Sequence, residues 1–303
     1  MSLFDRAVRL TLPITPRPLI RFFARRYVAG DTLADAVATV RRLAAEGCCA
    51  TIDVLGESVT SRDLARAAVG EYLAVLDAIR EHGLASNVSL KPTQMGLAID
   101  EEFCRDNIGA ILEKAHPQGT FVRIDMEDSP TTDATLRVYH SLVARFPKGT
   151  GVVLQARLRR TLADAVTLGG AGVNVRLCKG IYLEPREIAY TERDIIRDNF
   201  MNVLEVLLSA GTYVGIATHD EWLVCQSLAM VQRLGLTPDR YEFQMLLGVD
   251  PQLRRIITSA GHRLRVYVPF GSHWYPYSVR RLRENPQIAR VGLEAFLRGR
   301  VES

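Results

Sequence analysis

Short apolar segments rich in valine and isoleucine alternate with longer amphipathic segments along most of the chain. One pair of segments takes roughly 30 residues, which is enough for a strand, a helix and their loops. Eight apolar segments recur, and they begin at Cys48, Asn87, Phe121, Gly151, Gly172, Thr212, Tyr241 and Arg263. This alternation predicts repeated β-α units whose strands form a parallel sheet.

Eight β-α units in 303 residues predict an α/β fold, a (β/α)₈ TIM-like barrel. A doubly wound sheet is the alternative, but it usually has fewer strands and a phosphate-binding glycine loop after its first strand. The glycine-rich stretch at 169–172 precedes an apolar segment instead of following one, so it does not predict such a loop. We therefore favour the barrel.

The chain before the first apolar segment predicts a helical arm. Residues 31–46 fit an amphipathic helix, whereas residues 1–30 are rich in arginine, contain one acidic residue and are interrupted by three prolines. We divide the chain into an N-terminal helical arm, residues 1–46, and a catalytic barrel, residues 47–303. The basic arm, with Phe22 and Phe23, leads to the hypothesis that it contacts an anionic membrane surface.

Composition narrows the function classes. A net charge of +4, spread along the chain without a basic run interleaved with aromatic residues, argues against nucleic-acid binding. The five cysteines lack CxxC spacing, which favours buried thiols in a reducing compartment. No apolar segment approaches the roughly 20 residues that span a bilayer, so we expect a cytoplasmic protein, with peripheral contact to the inner membrane as the further hypothesis above.

Polar side chains concentrate at the carboxyl ends of the apolar segments. In a barrel these ends form the face where substrates bind, so residues from distant positions should converge there. The members are Lys91, Asp125, Gln155, Arg176, Lys179, Thr218, His219, Glu242, Gln244 and Tyr267.

The last segment continues into an aromatic-rich turn and two adjacent arginines, Arg280 and Arg281. Arginine is always charged and can hold a carboxylate with two parallel hydrogen bonds, so this pair predicts a clamp for a small anionic substrate. The same dipeptide occurs five times in the chain, but only here does it lie among Trp274, Tyr275 and Tyr277.

Three chemistries are compatible with the converging residues. A metal site has little support, because the six histidines lack paired-ligand spacing. A Schiff-base lyase or aldolase would use Lys91 or Lys179 as the nucleophile, provided that burial lowers the pKa of the amine. Two arginines, an aspartate and a lysine also suit a site that holds a carboxylate beside an electron-accepting ring.

Several motifs resemble those of the proline dehydrogenase family, in the same order along the chain. They are Asn87-Val-Ser-Leu-Lys-Pro-Thr-Gln, Val122-Arg-Ile-Asp-Met-Glu, Val175-Arg-Leu-Cys-Lys-Gly, Ala217-Thr-His-Asp, Tyr241-Glu-Phe-Gln-Met-Leu, and Val266-Tyr-Val-Pro-Phe-Gly with Tyr277-Ser-Val-Arg-Arg-Leu. The resemblance implies a distorted barrel with non-covalent FAD. It also implies oxidation of L-proline to 1-pyrroline-5-carboxylate in proline catabolism, with electrons passed to a quinone. The length resembles the short monofunctional bacterial members.

Site residues follow from the same resemblance, position by position. Asp125 and Arg176 match the catalytic acid and arginine. The substrate contacts implied are Lys91, Arg280, Arg281, Tyr267, Leu246 and Tyr277. The flavin contacts implied are Met126, Gln155, Arg176, Lys179, Gly180, Ile181, Thr218, His219, Glu242 and Gln244. No metal is implied. A Schiff-base lyase or aldolase remains the alternative function, and the colour of the purified protein would distinguish it from a flavin-dependent enzyme.

Overall fold

Eight parallel strands close into a barrel within residues 16–284, the part that the computed structural model describes, apart from the side chains of Leu19, Phe23 and residues 280–284. The strands are β1 (Cys49–Val54), β2 (Ser86–Leu90), β3 (Val122–Ile124), β4 (Thr150–Gln155), β5 (Asn174–Cys178), β6 (Tyr213–Ala217), β7 (Tyr241–Leu246) and β8 (Leu264–Phe270). Each strand pairs in parallel with the next, and β8 pairs with β1. The predicted barrel is confirmed.

Ten α-helices accompany the strands in the described residues. They are α1 (Arg17–Ala24), α2 (Leu33–Ala45), α3 (Arg62–Glu81), α4 (Glu101–Ala115), α5 (Thr132–Val143), α6 (Thr161–Leu168), α7 (Arg193–Ser209), α8 (Glu221–Arg233), α9 (Pro251–Ser259) and α10 (Trp274–Glu284), with 3₁₀ turns at His116–Gln118 and Ser129–Thr131. Helices α3 to α10 follow strands β1 to β8 in turn. This is the β-α alternation that the hydrophobic pattern predicts.

The helix that packs on β8 and β1 precedes the barrel in sequence. Helix α2 contacts both strands, whereas α10 packs on α1, with the rings of Tyr27 and Tyr277 centred 6.3 Å apart. A capping box begins α2, because Thr32 accepts a hydrogen bond from the Asp35 amide at 3.2 Å and Asp35 accepts one from the Thr32 amide at 2.9 Å. Helix α2 therefore contributes to the barrel's core, and the division at residue 46 remains a prediction.

Side chains alternate along each strand between an apolar outer layer and a polar barrel interior. Outward-facing residues such as Val88, Ile124 and Leu177 are fully buried against the helices. Buried charged residues, among them Arg123 and Glu242, instead point inward and bond across the barrel. Barrel interiors are usually filled by branched apolar residues, so this charged interior needs a separate explanation.

Membrane contact by the arm stays a hypothesis. In the part of the chain that the structure describes, no helix is both long enough and apolar enough to cross a bilayer. Phe22 on α1 is half-buried, and the side chain of Phe23 lies outside the described residues.

Candidate active site

A buried ion pair joins the ends of the first two strands. The Lys91 amine lies 3.0 and 3.1 Å from the two carboxylate oxygens of Asp53, which is fully buried. Tyr72 from α3 lies beside them, because its hydroxyl is 3.4 Å from Asp53 Oδ1 and donates to the Ser89 carbonyl at 2.7 Å. The pair places one cation on the substrate-binding face at the carboxyl end of β2.

The charge state of Lys91 argues against the Schiff-base alternative. Burial alone would lower the pKa of this amine, but the charge of Asp53 and its hydrogen bonds outweigh burial and raise the pKa above its usual value. A protonated amine has no lone pair with which to attack a carbonyl carbon. The expected net lowering of the Lys91 pKa is therefore wrong, because Asp53 on β1 more than offsets the effect of burial.

Arg176 on β5 lies at the centre of a second cluster. Its Nη1 donates to Asp125 Oδ1 at 2.7 Å and to Ser89 Oγ at 3.2 Å, while its Nε donates to Gln244 Oε1 at 2.6 Å. Ser89 also donates to Asp125 Oδ1 at 2.7 Å. Strands β2, β3, β5 and β7 thus hold one guanidinium in a fixed orientation. The structure brings together Asp125, Arg176 and Gln244, as the sequence predicts.

Glu242 lies beneath this cluster instead of beside it. It is 2% exposed, and Arg265 binds both of its oxygens, at 2.7 and 3.0 Å. Gln244 donates to Glu242 Oε1 at 2.6 Å, and Tyr213 donates to Oε2 at 3.1 Å. Burial would raise the pKa of Glu242, but the charge and hydrogen bonds of Arg265 outweigh it and lower that pKa. The placement favours support of Gln244 over direct contact with a cofactor.

Leu246 and Tyr267 form an adjoining wall. They are paired residues of β7 and β8, and the Arg176 guanidinium lies 5.6 Å from the centre of the Tyr267 ring. The Leu246 amide donates to His219 Nε2 at 2.7 Å. Tyr277 on α10 is buried and packs on Tyr27. The wall is apolar where a small ring would contact it.

The chain segments that follow β3 and β5 pack closely against the end of β4. Gln155 donates to the Glu127 carbonyl at 2.7 Å, and Met126 is buried beside that loop. Gly180 has a φ of +92°, and a Cβ there would lie 2.9 Å from Gln155 Oε1. Only glycine fits this backbone conformation without strain. Ile181 follows it and is half-buried.

A cluster of cations surrounds Asp220 beyond β6. Its carboxylate accepts from Lys179 at 3.1 Å, from Arg193 at 3.3 Å and from Arg197 at 2.7 and 3.0 Å. Burial would raise the pKa of Asp220, but the hydrogen bonds from Arg197 and Lys179 outweigh burial and hold it well below its usual range. The Asp220 amide in turn donates to Thr218 Oγ1 at 3.1 Å. Three cations therefore share this carboxylate, and Arg197 also pairs with Asp194 at 3.3 Å.

The two arginines of the predicted carboxylate clamp lie partly outside the described residues. Arg280 and Arg281 belong to α10, which follows β8 at the carboxyl end of the barrel, but nothing of their side chains is described. The carboxylate clamp therefore remains a prediction.

Among residues 16–284, no group of three or more histidine, cysteine, aspartate or glutamate side chains is arranged to hold a metal ion.

Four residues of the site were not identified from the sequence. Asp53 and Ser89 sit inside apolar strands, and Tyr72 sits on a helix that contacts the site from outside the barrel. The sequence contains one indication of the cluster around Asp220, because Arg193 and Arg197 are four residues apart and so share one face of a helix.

Comparison with known proteins identifies the family. A family model described as proline dehydrogenase matches residues 36–291. Proline dehydrogenase 1 of Bacillus subtilis (strain 168) is 37% identical over 278 residues, which cover 92% of this chain and 92% of that protein. Proline dehydrogenase of Deinococcus radiodurans is 33% identical over 310 residues, which cover 98% of this chain and 99% of that protein.

A solved structure supports the same fold. Proline utilization A (PutA) from Bdellovibrio bacteriovorus, inactivated by N-propargylglycine, superposes with a TM-score of 0.81 at 24% identity and matches 87% of this chain. The chain spans about a third of the length of that PutA, of which 32% is covered. Taken with the family-model match and the two relatives above 30% identity, these findings show that the chain belongs to the proline dehydrogenase family.

Proposed function

We propose that this protein oxidises L-proline to 1-pyrroline-5-carboxylate with FAD as the hydride acceptor. The observation that carries the proposal is the pair of buried clusters, Lys91 with Asp53 and Arg176 with Asp125, at the carboxyl end of a barrel of this family. One cluster offers a cation to a carboxylate. The other fixes a guanidinium nearby, where it would favour an acceptor that gains negative charge.

The substrate carboxylate is assigned to Lys91, with Arg280 and Arg281 as further partners implied by the family resemblance. Lys91 is held protonated by Asp53, so it presents a permanent positive charge at neutral pH. The pyrrolidine ring is assigned to the wall of Leu246 and Tyr267, because that ring has no polar group besides its amine. This arrangement fixes both ends of a small amino acid.

The residues near Gly180 and Asp220 fit a flavin dinucleotide. Gly180 adopts a backbone conformation that only glycine adopts without strain, close against Gln155, and the cations around Asp220 suit a diphosphate. Gln155, Lys179, Thr218 and His219 border this region, with Met126 and Ile181 on its apolar side. We assign these residues to FAD binding.

FAD held by these residues would supply a two-electron acceptor for the hydride that leaves C5 of proline, while the neutral amine releases its proton to solvent and the ring becomes a cyclic imine. Arg176 would place positive charge beside that acceptor and raise its reduction potential. Asp125 orients Arg176, because its Oδ1 already accepts hydrogen bonds from Arg176 and Ser89. Leu246 and Tyr267 exclude water from the ring and hold the reacting carbon in place.

The first test is turnover. Purified protein loaded with FAD should convert L-proline, in the presence of an artificial electron acceptor, into a product lighter by one hydride and one proton. Mass spectrometry of the small molecules detects it. Acid denaturation should release all of the flavin from the polypeptide, since the proposed contacts are non-covalent. No conversion of proline by flavin-loaded protein would overturn the proposed function.

Substrate choice gives a second prediction. A hydroxyl buried against Leu246 and Tyr267 without a partner costs roughly 1–3 kcal/mol, so L-proline should be preferred to trans-4-hydroxy-L-proline by about one to two powers of ten in kcat/KM. Tyr267→Ser should narrow this gap chiefly by losing proline activity. Steady-state kinetics on both substrates measure it. Equal wild-type efficiencies would refute the contact between Tyr267 and the ring.

Electron transfer to a quinone and peripheral contact with the inner membrane complete the proposal. Both rest on the family resemblance and on the arginine-rich residues 1–30. Co-sedimentation with anionic vesicles, with and without residues 1–30, tests the membrane contact.

A further inference from the structure

A buried arginine beneath the site has no acidic partner. Arg123 on β3 is 2% exposed, and its Nη1 donates to the carbonyls of Val152 and Asn174, both at 2.9 Å. Its Nη2 donates to the Asn174 side-chain oxygen, and its guanidinium lies 4.8 Å from the centre of the Phe121 ring. Within residues 16–284, no carboxylate forms a salt bridge with it. Its Nε has no hydrogen-bond partner.

The other buried charges of the barrel interior are paired. Lys91 is bound to Asp53, Arg176 to Asp125, and Arg265 to Glu242. Three cations and three carboxylates therefore form salt bridges in the described barrel interior, and Arg123 adds one positive charge that forms none. An unpaired charge in a low-dielectric interior acts over a longer distance than a paired one.

Arg123 lies one layer below the reacting face. Its guanidinium bonds to Asn174, which precedes Arg176 by two positions on β5, a rise of about 6.6 Å along a strand. It is also the register partner of Ser89, whose hydroxyl contacts both Asp125 and Arg176. Burial and, to a smaller extent, the charge of Arg176 lower the pKa of Arg123 to about 9, against the opposite effect of the Glu242 and Asp125 charges, so it remains protonated at neutral pH.

We propose that Arg123 is a positioning residue that keeps a positive charge without a salt-bridge partner beneath Arg176 and thereby raises the reduction potential of the bound flavin. The inference rests on the proposed function, because it needs a flavin above Arg176. Reduction of the flavin by two electrons adds negative charge to it, and a buried cation favours that change. A purely structural alternative is that Arg123 only ties β3 to β4 and β5 through its hydrogen bonds.

The test offsets the positive charge of Arg123 without replacing the residue. Asn174→Asp keeps the side-chain oxygen that accepts from Arg123 and adds one negative charge beside it. We expect the equilibrium constant for reduction of the bound flavin, measured against a reference dye, to fall roughly tenfold, as for a charge about 10 Å away in a protein interior. The control Asn202→Asp makes the same chemical change at an exposed position of α7 and should leave the constant unchanged.

A third variant separates charge from hydrogen bonding. Arg123→Lys keeps the charge and loses the forked donor, so the proposal predicts a wild-type constant. If Asn174→Asp does not fold, Arg123→Gln serves in its place with the same expected fall. A constant unchanged in Asn174→Asp, or equally lowered in Arg123→Lys, would overturn the proposal. Wild-type protein that fails to bind FAD would instead overturn the proposed function.

Discussion

Replacing Lys91 with methionine is expected to lower the free energy of unfolding by about 3–5 kcal/mol, the cost of leaving one partner of a buried ion pair alone. Asp53 is fully buried, and its two oxygens lie 3.0 and 3.1 Å from the Lys91 amine. Because folding raises the pKa of Lys91, the stability that this amine contributes is fully present below its unfolded pKa of about 10 and is lost as the pH rises through the higher folded value. Chemical denaturation at pH 7 measures the change.

A double-mutant cycle identifies the cause. Adding Asp53→Asn to Lys91→Met removes the orphaned carboxylate and should restore most of the lost stability. The control is Lys114→Met, because Lys114 pairs with Asp77 at 2.6 Å but both side chains are partly exposed, and such pairs contribute at most about 1 kcal/mol. Similar losses in Lys91→Met and Lys114→Met would contradict the buried-pair account.

Replacing Arg176 with methionine is expected to lower kcat/KM for L-proline by roughly two to four powers of ten, from a cost of about 3–5 kcal/mol. The change removes the donor to Asp125, Ser89 and Gln244 at once, and with it the positive charge assigned to the flavin. Initial rates at low proline concentration measure the effect.

Arg254 supplies a matched control for Arg176. It is also a buried arginine, paired with Glu46 at 2.6 Å, but it lies on α9, outside the barrel interior. Arg254→Met should lower stability and leave kcat/KM of the folded protein near that of the wild type. Equal losses of kcat/KM in both variants would show that the effect of Arg176→Met is the general cost of removing a buried, paired arginine.

The barrel was accessible from the sequence because its strands are continuous apolar segments that repeat with helices between them. Parallel strands buried on both faces have this pattern, and their polar carboxyl ends mark the reacting face. Lys91, Asp125 and Arg176 were identified in this way, and the structure brings Asp125 and Arg176 into contact.

The partners of these residues were harder to predict. Asp53 is a single acid inside an apolar strand, and its partner is 38 positions away, so no local pattern links the two. Glu242 and Gln244 illustrate a second limit. Residues two apart on a strand share a face, but the pattern does not tell which of them reaches the mouth of the barrel and which lies in the layer below. How deep a side chain lies along the barrel axis depends on the packing of the whole barrel.

We propose that electrons pass from L-proline to a flavin bound at this site. Anaerobic addition of L-proline to the purified, FAD-loaded protein tests it most directly, with the visible absorbance of the flavin as the readout. We expect a yellow protein whose flavin absorbance is bleached by L-proline. A protein that takes up no FAD, or flavin absorbance that L-proline leaves unchanged, would contradict it.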